Sequence, residues 1–179
     1  MTEIDALAVI IAGCQRGERD AQRELFDRTH RQVFRIAARL AGATEADDVT
    51  QQVYLQVFQK IGQFAGRSAF GTWLYRVTVN EARQRLRIVN RHRTTELKHD
   101  AIATDHCLDE PIVLRELLQR ALESVDSNLK IIFLLRETEG LTYCEIASVL
   151  EISSGTVASR LSRARQELQS QLKELGWCG

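Results

Sequence analysis

Residues 156–165 read Thr-Val-Ala-Ser-Arg-Leu-Ser-Arg-Ala-Arg, with three arginines and no acid. On a helix, Ser159, Arg160, Ser162, Arg163 and Arg165 turn outward while Val157 and Leu161 turn inward. Guanidinium forks and hydroxyls in that pattern can donate to phosphate oxygens and to base edges in a major groove. A solvated basic face on an ordinary helical hairpin would have the same composition. A second set lies at 64–76, Phe-Ala-Gly-Arg-Ser-Ala-Phe-Gly-Thr-Trp-Leu-Tyr-Arg, and continues through Asn80, Arg83, Arg85 and Arg87. Aromatic rings beside glycines and an arginine-rich helix suit unstacked bases, which need flat surfaces, polar pockets and positive charge along the backbone. Phe70 and Trp73 would serve equally well as core.

These residues need helices to position them. The apolar spacing predicts one helix over about 19–41, with Leu25, Val33, Ile36 and Leu40 on one face. Val49, Val53, Val57 and Ile61 predict a second, with Thr44 as its N-cap and Asp47 and Asp48 in the first turn, where the helix dipole favours acids. Trp73, Leu74, Val77 and Leu86 predict a third, from near Ser68 to about residue 90. Periodicity fails from Arg91 to Pro111, and helices resume over about 112–125 and 128–138. Thr142 and Glu145 form a capping-box pair ahead of a short helix carrying Ile146, Ala147 and Leu150. Ser153 or Ser154 caps the longer helix that follows. Ala147, Ile152 and Val157 have the spacing of a helix-turn-helix. The expected fold class is all-α: two small helical domains, 1–90 and 112–179, joined by a flexible acidic and polar linker over 91–111.

Charge follows the same division. The chain has 24 basic and 24 acidic side chains among 179 residues, yet 67–99 hold eight basic and two acidic residues, and 100–129 hold two and seven. Neutral overall charge therefore does not exclude a nucleic-acid partner. The longest apolar run, Ala6–Ala12, is too short to span a membrane, and the opening Met1-Thr2-Glu3 predicts no secretory leader. A cytoplasmic protein with its cysteines as thiols is expected. No phosphate-binding glycine loop or nucleophile elbow appears. His99, His106 and Cys107 fall in the linker without a recognised ligand spacing, so no catalytic site, metal or cofactor is expected.

Four blocks together resemble a known family: Ala46-Asp-Asp-Val-Thr-Gln-Gln-Val-Tyr-Leu-Gln-Val-Phe, Phe70-Gly-Thr-Trp-Leu-Tyr-Arg-Val-Thr-Val-Asn, Glu139-Gly-Leu-Thr-Tyr-Cys-Glu-Ile-Ala, and Gly155-Thr-Val-Ala-Ser-Arg-Leu-Ser-Arg-Ala-Arg. The chain resembles a bacterial extracytoplasmic-function (group 4) sigma factor along nearly its whole length. The resemblance implies a transcription initiation factor that binds core RNA polymerase, directs it to promoters and helps melt the minus-ten element. It implies that Asp47, Asp48 and Gln51 dock on the clamp of the largest polymerase subunit. It implies that Phe64, Arg67, Ser68, Trp73, Arg76, Asn80, Arg83 and Arg87 read and open the minus-ten element. Thr156, Ser159, Arg160, Ser162, Arg163 and Arg165 would read the minus-thirty-five element. The linker acids Asp100, Asp105, Asp109 and Glu110 would thread through the polymerase, and an anti-sigma factor is an implied partner.

Two residues depart from the family pattern. Glu151 stands where the turn usually has glycine, and Ala158 where a basic residue often follows Gly-Thr-Val. If the turn needs positive φ, Glu151 costs roughly 1 kcal/mol. The alternatives are a helix-turn-helix regulator that binds duplex DNA by itself, which gives the Asp47/Asp48 helix and the 64–76 loop no task, and a decoy that occupies polymerase without promoting transcription.

Overall fold

A computed structural model describes residues 3–93 and 110–177, with side-chain burial for 6–89 and 117–177. The described residues form eight α-helices and no strand, as the helical periodicity predicts. They fall into two compact units, Met1–His92 and Arg93–Gly179. The linker residues 94–109, including Asp100, Asp105, Asp109, His99, His106 and Cys107, lie outside the described residues, as does Cys178.

The first unit contains α1 (Glu3–Gln15), α2 (Arg19–Ala41), α3 (Ala46–Lys60) and α4 (Phe70–Arg93). Its core is the apolar face of each helix: Leu25, Val33, Ile36 and Leu40 from α2, Val49, Val53 and Val57 from α3, Leu74, Val77 and Ala82 from α4. Burying each large aliphatic side chain contributes about 1.5–3 kcal/mol. α1 lies close on α2: a Cβ on Gly13 would come within 2.7 Å of the Ala21 Cβ. α2 stops at Gly42, whose φ of 95° and ψ of 158° belong to backbone that side-chain-bearing residues avoid.

Three helix ends differ from the sequence expectation. Thr44 is not the N-cap of α3. It sits inside a 3-10 turn, Ala43–Glu45, and the capping position falls to Glu45, which makes no side-chain cap bond. Ile61 is buried but belongs to a 3-10 turn, Ile61–Gln63, beyond α3. α4 begins at Phe70 rather than Ser68 and continues to Arg93.

The second unit contains α5 (Glu110–Ser124), α6 (Ser127–Glu137), α7 (Tyr143–Leu150) and α8 (Ser154–Glu174). Pro111 lies in the first turn of α5 rather than ahead of it, where its missing N–H leaves no helical bond unmade. Ala121 and Val125 of α5, Leu129 of α6, and Ala164 and Leu168 of α8 form one core cluster. Ile132, Ile146, Val157 and Leu161 are fully enclosed nearer the α7–α8 turn. Side chains cap three of these helices, each accepting from otherwise unpaired backbone N–H groups: Asp126 for α6, Thr142 for α7 and Ser153 for α8.

Candidate nucleic-acid interface

In the second unit, α7 and α8 form the helix-turn-helix. Thr142 Oγ1 accepts from the Glu145 N–H at 3.2 Å, and Glu145 Oε2 accepts from the Thr142 N–H at 2.8 Å. The Thr142 N–H, joined by the Thr142 hydroxyl donating at 2.7 Å, holds the Glu145 carboxyl below the ordinary glutamate range. α7 ends at Glu151 in left-handed backbone, φ 57° and ψ 43°, and the Ile152 N–H bonds back to the Ala147 carbonyl at 3.1 Å. That six-to-one bond is the stop that glycine usually occupies. The turn therefore takes the left-handed shape with a glutamate in it.

α8 is two-sided. Val157, Leu161, Ala164 and Leu168 are buried, while Ser159, Ser162 and Arg163 are exposed on the opposite face. Thr156 and Arg160 are half-buried at the flanks. Two hydroxyls are turned to local partners: Thr156 Oγ1 lies 2.8 Å from Ser153 Oγ, and Ser159 Oγ donates to the Thr156 carbonyl at 3.1 Å. Arg165 does not point freely outward. It donates to Glu137 Oε1 at 2.6 Å, at the end of α6. The Arg136 guanidinium lies over the Tyr143 ring, 5.3 Å from its centre. Arg163 is thus the outward arginine of α8 with no ion pair among the described residues.

In the first unit, Phe64, Phe70 and Trp73 form a mutual triad with ring centres 5.5–5.6 Å apart. Phe70 is 6% exposed and belongs to the core. Phe64 and Trp73 are half-buried, leaving part of each ring open beside exposed Arg67 and half-buried Ser68. Along α4, Trp73, Arg76, Asn80, Arg83 and Arg87 recur at three- and four-residue intervals and so share one stripe. Asn80 and Arg87 are exposed, and Arg76 and Arg83 half-buried. Arg85 departs from this set. It lies on another face of α4, bonded to Glu45 and, at 3.0 Å, to Asp48. Its guanidinium ties α4 to the start of α3 and is not part of the basic stripe.

Asp47 and Gln51, one turn apart on α3, are exposed, as is Asp48 despite its bond to Arg85. A groove of about 360 Å³ runs beside them, lined by Asp48, Gln51 and Gln52 of α3 and by Glu81, Gln84, Arg85 and Ile88 of α4. Sequence reasoning missed Gln15, at the end of α1. Its side-chain amide donates to the Ile61 carbonyl at 3.1 Å and to the Phe64 carbonyl at 2.9 Å. Partners 46 and 49 residues away leave no local signal in the sequence. Among the described residues no cluster of His, Cys, Asp and Glu is placed to hold a metal ion, and no helix is long and apolar enough to cross a membrane.

Comparison with known proteins adds to this geometry. The family "Sigma-70 region 2" matches residues 25–92, and "Sigma-70, region 4" matches 115–168. The chain is 30% identical over 183 residues to the ECF RNA polymerase sigma-E factor of Escherichia coli K12, covering 93% of this chain and 94% of that protein. It is 32% identical to the sigma-E factor of Haemophilus influenzae, covering 93% and 95%. Among solved structures, CnrH in complex with the cytosolic domain of CnrY has a TM-score of 0.70 at 21% identity, covering 93% of this chain and 96% of that one. The sigma factor RpoE of Bartonella quintana, in complex with the anti-sigma factor NepR, has a TM-score of 0.68 at 23% identity, covering 84% and 96%. At those identities the two structures establish a shared fold.

Proposed function

Because the chain belongs to the extracytoplasmic-function sigma factors, promoter-specific transcription initiation factors that act as regulators rather than catalysts, we propose that its two units divide promoter recognition between them. The first unit docks on core RNA polymerase through Asp47, Asp48 and Gln51. It then captures unstacked bases of the minus-ten element against Phe64 and Trp73, beside Arg67 and Ser68. Arg76, Asn80, Arg83 and Arg87 supply hydrogen bonds and positive charge along the opened strand. The second unit reads the minus-thirty-five element with the outer face of α8: Thr156, Ser159, Arg160, Ser162 and Arg163, with Arg165 at the flank.

The observation that carries this reading is the α4 stripe ending at two half-open aromatic rings. Separating a base from its stack costs a few kcal/mol. Stacking on an aromatic side chain returns about 1–3 kcal/mol per base. Capture can therefore offset much of the opening cost without any reaction at the sigma factor, and phosphodiester chemistry stays with the polymerase. A duplex-only regulator needs no such surface. The protein acts in the cytoplasm, where its polymerase is, and an anti-sigma factor holds it inactive. Support for that partner comes from the two fold relatives, each solved with a partner chain.

The test is transcription from a linear promoter template with purified core polymerase and this protein. Specific transcripts that need both proteins support the proposal. DNA binding without polymerase and without transcript would replace it with the regulator. Core binding alone would replace it with the decoy.

A further inference from the structure

We infer that α1, through Gln15, positions the minus-ten loop. The inference rests on the proposed role of the aromatic triad and extends it to a helix outside the region 2 match, which begins at residue 25. α1 packs on α2 and on the Ile61–Gln63 turn. Its C-terminal end is fixed by the close approach at Gly13 and by the Glu18 N–H donating to the Gly13 carbonyl at 3.1 Å. From that anchored end the Gln15 amide spends both hydrogens on the base of the loop, one on the Ile61 carbonyl and one on the Phe64 carbonyl. Ile61 also accepts from the Phe64 N–H at 3.0 Å, which a carbonyl with two lone pairs allows. The two bonds bracket the 3-10 turn and fix the backbone of Phe64, whose ring meets Phe70 edge-on and lies tilted against Trp73. Gln15 is itself exposed, so its contribution to the core is small. What it fixes is the direction in which the loop leaves α3, and hence where the Phe64 ring sits against Trp73 on the surface that receives a base.

The experiment uses the full chain with core polymerase and a promoter carrying 2-aminopurine in the minus-ten element. Gln15→Met keeps the length of the side chain and removes both donors. Gln15→Glu places a carboxylate against two carbonyl oxygens. The expected result is a roughly three- to tenfold loss of opening for Gln15→Met and a larger one for Gln15→Glu. Core affinity, melting temperature and minus-thirty-five binding stay at wild-type values, and discrimination among bases at the captured position weakens. Opening by Gln15→Met within twofold of wild type, with base preference intact, overturns the inference. So does a fall in melting temperature that tracks the loss, because the residue would then serve stability. A wild-type protein that opens no promoter removes the proposed function and this inference together.

Discussion

Replacing Glu151 with glycine tests the physical account of the helix-turn-helix most directly. Glu151 holds φ 57° and ψ 43°, the position at which α7 ends and the chain turns toward α8. A side-chain-bearing residue there costs roughly 1–2 kcal/mol. Glycine relieves that strain but gives the unfolded chain more freedom, which returns about 0.4–1 kcal/mol of the gain. The glutamate side chain is exposed, where a polar contact is worth little. The net expectation for Glu151→Gly is a gain of about 0.5–1 kcal/mol. In a unit of this size that raises the melting temperature by roughly 2–8 °C. Because the chain has two units, scanning calorimetry of the full protein is required to resolve the transition of the second one. Glu151→Ala is the control: it keeps a Cβ in the same backbone and gains nothing. Equal shifts for both variants, or a loss for glycine, would refute the strain argument.

Four further outcomes are expected. Arg163→Ala weakens minus-thirty-five binding by roughly 1–3 kcal/mol if it meets a base edge, read as a change of sequence preference in a binding titration. Glu137→Gln releases Arg165 from its 2.6 Å partner, so DNA affinity rises and its salt dependence steepens; unchanged slope would show that Arg165 stays off the DNA. Asp47→Arg with Asp48→Arg abolishes binding to core polymerase while circular dichroism is retained, since both acids are exposed and the Arg85–Asp48 pair is a surface one. Acid loosens α7. The folded pKa of Glu145 lies below its unfolded value near 4.5, so its contribution is fully present above that value and is lost as pH falls through the lower one. Glu145→Gln should flatten that part of a stability-against-pH curve.

The second unit was legible because its signals are local. Thr142 and Glu145 announce a helix start within four residues, and Val157 and Leu161 place α8 by spacing alone. The α3 start departs from its local signal. Thr44 is a good capping residue by type, but Gly42 ends α2 in backbone of positive φ and a 3-10 turn takes up the next three residues. Arg85 looked like its neighbours Arg83 and Arg87 in sequence, and only the packing of α4 against α3 gives it carboxylate partners. Arg165 is similar: its spacing places it on the outer face of α8, and only the tertiary fold brings Glu137 at the end of α6 to it. Long-range side-chain bonds of this kind, Gln15 among them, follow from tertiary packing and have no periodicity to read.

α7 has eight residues. Isolated helices shorter than about 12–15 residues are marginal in water. Its helicity is therefore borrowed from the capping box at one end, the six-to-one bond at the other, and the burial of Ile146, Val149 and Leu150 between them. Such a segment has little capacity to fray by itself while its neighbours hold. In amide hydrogen exchange, the interior N–H groups of α7 should open with the whole second unit as one cooperative block, not as a separate low-energy fluctuation. The angle at which α8 is presented is then as durable as the fold of that unit.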